Sequence, residues 1–255
     1  MSNKREREKR REERLQEETK VDAGDRRTRL LQLGAGAVFL VIVAVVVLIV
    51  VNGNSDSGGD ATNLQEVSQV DSLVKGVPQE GLVLGDPKAK VELIEYGDLQ
   101  CPVCKAYSEE VLPDVIENQV QNGQAKVDFR NFIIIGPQSG PAGAAALAAG
   151  AQGRGWNYLE LFYRNQGKEN SGYADEEFLK AVAKGAGVKD LAKWETESKG
   201  TKFTDEVTKT SEEAQRLGFS GTPSFAIKGP NSNGLELLGT PESSAAIEEA
   251  IEDAS

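Results

Sequence analysis

Apolar and polar positions change rhythm at a few points along the chain, and each change marks a candidate element. Leu33 to Val51 runs for 19 residues without a polar side chain, and Leu30 to Gln32 extends the segment to 22. At ~1.5 Å per residue that is enough to cross a hydrocarbon core of about 30 Å, so residues 30–51 are read as one transmembrane helix. Interleaved charges, KREREKRREERLQEE, precede it in a tail over 1–29, and NGNSDSGGD, flexible by composition, follows it. Residues 52–80 stay polar with scattered Val and Leu and are expected to form a linker or stalk, with at most a short helix.

From about residue 81 the pattern becomes that of a folded domain reaching residue 255. Val91 to Tyr96 (VELIEY), after the turn signal Gly85-Asp86-Pro87, predicts a buried strand. Between Pro102 and Gln121, Val103, Tyr107, Val111, Leu112, Val115 and Ile116 fall at mostly helical spacing, and Pro113 is expected to kink that helix. Lys126 to Ile135 (KVDFRNFIII) predicts a second strand, ended by Gly136-Pro137. A mostly helical block punctuated by glycines follows from Pro141 to Leu217. Pro223 to Lys228 and Leu235 to Leu238 then predict a hairpin, and Glu242 to Asp253 a closing amphipathic helix. The order is β-α-β, a helical block, then β-β-α, an α/β architecture.

Charge divides the chain into parts suited to different solvents. Residues 1–29 carry 11 Lys+Arg and 8 Asp+Glu, residues 30–51 carry none, and residues 52–255 carry 18 and 32, a net of −14. Arg26, Arg27 and Arg29 abut the apolar run, whereas Asn52 to Asp60 has no Lys or Arg. The positive-inside rule then places the N-terminus in the cytoplasm and residues beyond 51 outside, in a single-pass protein of the cell membrane. A cleaved signal peptide fits less well, because the apolar run exceeds the usual 7–15 residues and no A-x-A site follows Val51. The overall charge of −11 argues against a nucleic-acid partner.

The chain has no histidine and two cysteines, which excludes Ser-His-Asp and Cys-His catalysis and any histidine-based metal site. Both cysteines lie in Cys101-Pro102-Val103-Cys104, between the first strand and the first helix of the domain. That position puts Cys101 at a helix N-terminus, where orphan N–H groups and the helix dipole favour thiolate over thiol. Cys104, one turn on, is expected to face inward, near enough to attack a mixed disulfide on Cys101. Pro102 at the first helical position loses no hydrogen bond. A purely structural disulfide is disfavoured, since closing so short a loop contributes only about 2 kcal/mol against ~3 for 15 residues. A zinc site fails on ligand number, so redox chemistry is the preferred reading.

VELIEYGD, then LQCPVCK, and far downstream GFSGTPSFAI before a hairpin and a last helix, resemble the DsbA-like thiol–disulfide oxidoreductases of the thioredoxin superfamily. The resemblance covers about residues 80–255. It implies a thioredoxin-like fold with an inserted helical domain at about 138–217. Carried over by position, it makes Cys101 the solvent-exposed nucleophile, Cys104 the buried resolving cysteine and Glu95 the buried acid that exchanges a proton with Cys104. Thr222-Pro223 matches the cis-proline loop that docks substrate, beside Pro102 and Val103 of the motif itself. From the residues alone, Glu95 is as readily an ordinary strand-face carboxylate, and Pro223 a trans proline starting a strand. Val103 departs from the best-known oxidases of the family, which carry a sulfur-stabilising His there, and this leaves the direction of the reaction open.

The resemblance further implies an enzyme that oxidises exported cysteine-containing proteins with no bound organic cofactor and no metal. Its electron acceptor would be a quinone-linked membrane partner of the DsbB or vitamin K epoxide reductase type. A disulfide reductase or isomerase using the same cysteines, or a non-enzymatic peptide- or copper-binding module, are the alternatives.

Overall fold

The computed structural model describes residues 63–255, so the charged tail, the expected transmembrane helix and residues 52–62 lie outside the described residues. No helix among the described residues is long and apolar enough to cross a membrane. The strands are β1 (Gln79–Glu80), β2 (Val83–Leu84), β3 (Val91–Gly97), β4 (Ala125–Asn131), β5 (Ser224–Lys228) and β6 (Glu236–Gly239). They form one six-stranded sheet in the order β1-β2-β4-β3-β5-β6. β3 and β4 pair in parallel and every other neighbouring pair is antiparallel.

Helix α1 (Val67–Leu73) precedes the sheet. The crossover that a parallel pair requires runs through α2 (Pro102–Glu110), α3 (Leu112–Val115) and a π-helical turn, Ile116–Val120. Between β4 and β5 lie α4 (Ser139–Gly150), α5 (Gly155–Arg164), α6 (Glu176–Gly185), α7 (Leu191–Ser198) and α8 (Thr201–Arg216), and α9 (Ser244–Ala254) follows β6. From β3 onward this is the element order that the sequence pattern implies. β3 is covered on both faces and buries all of its residues except the half-buried Glu92, whereas β4 alternates buried and half-buried positions. Ile94 and Tyr96 pack with Phe132, Ala214 and Ala226 on one side of the sheet, while Leu93, Phe129 and Phe225 join the larger core on the other. The alanine-rich α4 is a close-packed helix, with Ala142, Ala144, Ala145, Ala146, Ala148 and Ala149 all buried.

Three elements differ from the sequence pattern. The helix expected over 102–121 is broken before Pro113: α2 ends at Glu110, and the missing Pro113 N–H leaves the Glu109 carbonyl without its helical partner. The second strand ends at Asn131 rather than Ile135, because the amides of Ile134 and Ile135 turn away to the Asp98 carboxylate, each at 2.9 Å. Organised structure also begins well before residue 81. Val70, Leu73 and Val74 are buried in the main core, and Gln79–Leu84 adds a hairpin to the sheet edge through its pairing with β4. Within 52–80, residues 67–80 are therefore part of the folded body. Two-residue strands carry no readable alternation, and burying each of those three apolar side chains stabilises the fold by about 1.5–3 kcal/mol.

Candidate active site

Cys101 is the N-cap of α2, in an extended conformation that ends the loop from β3. Its sulfur accepts a hydrogen bond from the Cys104 N–H at 3.5 Å, as capping side chains do. The loop is held from several directions. The Cys101 N–H donates to the Asp98 carbonyl at 2.9 Å, and the Gln166 amide donates to the carbonyls of Leu99 and Cys101 at 2.7 and 3.1 Å. Asp98 is buried, and its carboxylate accepts from the N–H groups of Gln100, Ile134 and Ile135. Gly97 just before it has no room for a side chain, since a Cβ there would lie 2.6 Å from Phe129 Cε2.

Both cysteines are free thiols. Cys101 is less open than the resemblance implies, at 4% exposure against 0% for Cys104, because the loop carrying Thr222 lies over it. What is exposed is the pair between them: Pro102 is exposed, and Val103 is 50% exposed. The Thr222-Pro223 peptide is cis, and the Thr222 carbonyl accepts a hydrogen bond from the Cys101 sulfur at 3.4 Å. Thr240 Oγ1 in turn donates to the Pro223 carbonyl at 2.8 Å. The structure thus brings Cys101, Cys104, Pro102, Val103, Thr222 and Pro223 together at the C-terminal end of β3.

Glu95 resolves to the buried alternative. It is 1% exposed, and neither carboxyl oxygen has a hydrogen-bond partner among the described residues. Its cross-strand neighbours in register are Phe129 and Phe225, which place it between aromatic rings. Burial pushes its pKa up to about 8, with further upward pressure from Glu160 and Cys101. The two thiols split in opposite directions. The Cys101 pKa falls to about 6, chiefly through a hydrogen bond from the Cys104 side chain, against the opposing effect of burial, with help from Thr222 and the N–H groups of Cys104 and Val103. Burial, with that same bond to Cys101, pushes Cys104 well above the usual thiol range.

Asp98, Gln100, Gln166 and Glu160 were not singled out as site residues from the sequence. Asp98 had a readable signal, an Asp three residues before a helix cap, where a carboxylate bonds a backbone N–H two residues on. Glu160 had one too, as an acid within GWNYLELFYR, a helix buried from Gly155 to Tyr163. Gln166 had none, since it reaches Leu99 and Cys101 only through the tertiary fold.

A C-x-x-C pair at a strand-to-helix junction, facing a proline loop in this sheet, is the site of a thiol–disulfide oxidoreductase. The family described as Thioredoxin matches residues 78–253, and the chain belongs to it. Its relatives include proteins named for disulfide bond formation. "Probable disulfide bond formation protein D" of Bacillus cereus is 30% identical over 153 residues, covering 59% of this chain and 71% of that protein. "Disulfide bond formation protein D" of Bacillus subtilis is 27% identical over 179 residues, 69% of this chain and 76% of that one. The crystal structure of oxidised BdbD from Bacillus subtilis shares the fold with a TM-score of 0.61 at 22% identity, covering 70% of this chain and 97% of that chain. Wolbachia pipientis α-DsbA1 does so with a TM-score of 0.58 at 20% identity, covering 71% and 91%.

Proposed function

We propose that this chain is a membrane-anchored, extracytoplasmic dithiol oxidase that forms disulfides in exported proteins through Cys101 and Cys104. The observation that carries the reading is the placement of the two sulfurs: Cys101 caps α2 and accepts from the Cys104 N–H at 3.5 Å, whereas Cys104 is fully buried, so the Cys101 pKa falls to about 6 and Cys104 is pushed well above the usual thiol range. A sulfur that ionises more readily in the folded dithiol than in an unfolded chain stabilises the reduced protein, which makes the disulfide an oxidant. Because the folded pKa is depressed, this stabilisation is complete above the ordinary value of 9.0 and is lost as pH falls through about 6. At pH 7 it favours the dithiol by ~1.4 kcal/mol, or ~30 mV for a two-electron couple.

In the forward reaction a substrate thiolate attacks the Cys101 sulfur of the disulfide. The Cys101–Cys104 bond breaks, its electron pair goes to Cys104, and Glu95, protonated at neutral pH, supplies the proton. A second substrate thiolate then attacks the substrate sulfur of the mixed disulfide and expels Cys101 as its stable thiolate. The substrate leaves oxidised by two electrons and the enzyme keeps both. Reoxidation passes those electrons to an acceptor, for which a quinone-linked membrane protein of the DsbB or vitamin K epoxide reductase type is the fitting class. The apolar run over 30–51 and the arginines before it support the anchor and its orientation.

One observation favours the reverse direction. Val103 has no donor in its side chain, so the thiolate lacks a stabilising contact that would make the disulfide still more oxidising. The test is the reduction potential of the full-length chain, measured with stoichiometric oxidation of a reduced, unfolded protein. A potential well above the −270 mV of thioredoxin-like reductants, with one substrate disulfide formed per enzyme, supports the oxidase. A potential at or below that value, with activity only from the reduced enzyme, assigns it as a reductase.

A further inference from the structure

Glu95 is not the only buried acid behind the cysteines. Glu160, on α5, is also 1% exposed. The geometry places the two in one interior seam. Glu95 and Gly97 share a face of β3, and the space above Gly97 is closed by Phe129 and by the Tyr163 hydroxyl of α5. Glu160 lies three residues before Tyr163, on the same side of that helix. From α2, Cys104, Tyr107 and Ser108 are buried, Cys104 and Ser108 one turn apart, and Cys104 and Tyr107 both feel the Glu95 charge. Their partners differ. Glu160 pairs with Arg164, one turn along α5, whose Nε lies 3.1 Å from the half-exposed Glu66 carboxylate, whereas Glu95 has no hydrogen-bond partner among the described residues.

Resting on the exchange reaction above, we propose that Glu160 is a positioning residue that keeps the proton on Glu95: the two form a coupled carboxyl pair in which Glu160, held by Arg164, ionises first. Two carboxylates in one dry seam resist being charged together, and the proton stays on the member without a cation. The charged groups that act on the pair besides Arg164 are Cys101, which raises Glu95, and Glu109, which raises Glu160 and is itself paired with Lys105 at 3.7 Å, while the buried Asp98 carboxylate, which acts on Tyr163, is tied to the N–H groups of Gln100, Ile134 and Ile135. Consistent with this order, Glu160 is pushed up to about 7, by burial first, against the lowering effect of Arg164, and Glu95 to about 8. Glu95 is then protonated when Cys104 leaves as a thiolate, gives up that proton, and recovers one from solvent.

The test is carboxyl titration by NMR of the reduced full-length chain labelled with 13C at glutamate side chains, with Glu95→Gln and Glu160→Gln assigning the two signals. In the parent, each signal is expected to move in two steps, reporting its partner's ionisation. Glu160→Gln should lower the Glu95 midpoint by ~1 unit and shift the pH–rate profile of thiol exchange the same way. Glu160→Asp should restore most of both. Independent single-step titrations in the parent overturn the proposal even if Glu160→Gln does not fold. So does an unmoved Glu95 midpoint in that variant. If the pair is coupled but Glu95→Gln leaves exchange and its pH profile unchanged, the pairing stands and the catalytic reading of Glu95 falls.

Discussion

The Cys101 sulfur sits 3.4 Å from the Thr222 carbonyl, so the nucleophile and the loop expected to dock a peptide face each other directly. A substrate sulfur that reaches Cys101 must enter beside that carbonyl and across Val103, the exposed residue of the motif. Thr222 Oγ1 is buried without a partner among the described residues while the thiol donates to the carbonyl, and it supplies a ready donor when the sulfur becomes a thiolate.

The split between the thiols sets their reactivity. In the reduced full-length chain at pH 7, iodoacetamide should alkylate Cys101 at least ~100-fold faster than Cys104, because only the thiolate is a nucleophile. The Cys101 rate should rise with pH about a midpoint near 6. Equal rates, or a midpoint near the ordinary 9.0, would remove the assignment of roles.

Removing the inner sulfur should trap intermediates. With Cys104→Ser, a mixed disulfide on Cys101 has no internal thiol to resolve it, so adducts with exported proteins should accumulate on non-reducing gels. Adducts that build up in Cys101→Ser and not in Cys104→Ser would reverse the two roles.

Glu95 makes stability depend on pH in a definite direction. Its folded pKa is raised from 4.5 to about 8, so the cost of burying the ionised carboxylate grows as pH climbs through that window and is complete above about 8. Glu95→Gln should therefore unfold at higher urea than the parent at pH 9, by several kcal/mol at ~1.4 kcal/mol per unit, and show little gain at pH 4. The same difference at both pH values would mean that Glu95 is not buried as an acid.

Val103→His tests the departure from the oxidase pattern. Residue 103 is 50% exposed, so the change should leave the fold intact. A donor beside Cys101 should lower its pKa further and raise the reduction potential by tens of millivolts. An unchanged potential, measured against glutathione, would show that residue 103 does not reach the sulfur.

Topology is open to a direct experiment. If residues 30–51 span the membrane with Arg26, Arg27 and Arg29 inside, protease added to intact spheroplasts should digest residues beyond about 52 and spare the tail. Protection of the cysteine domain would place it in a reducing compartment and defeat the oxidase reading.

Local features were legible in the sequence wherever a short segment carries its own physical signal. β3 announces itself by β-branched and aromatic residues, and α2 by a cysteine cap followed by proline. The reactive sulfur was legible for the same reason, since a C-P-x-C at a helix start has few other uses. The ends of elements were not. β4 stops at Asn131 despite the Ile run beyond it, because Asp98, distant in sequence, captures the next amides.

What only the tertiary structure decided is which groups share an interior. Glu95 reads equally as a surface or a core carboxylate from its own strand, since β3 is covered on both faces and periodicity cannot tell the sides apart. The rings of Phe129 and Phe225 and the seam between α2 and α5 make it an acid that holds its proton to about pH 8. Gln166 and Glu160 lie roughly 60 residues from the motif they support, and no local pattern encodes such distances. Sequence places a nucleophile by backbone geometry within a few residues; proton affinity is set by solvent exclusion and neighbouring charge, which exist only once the chain has closed around the site.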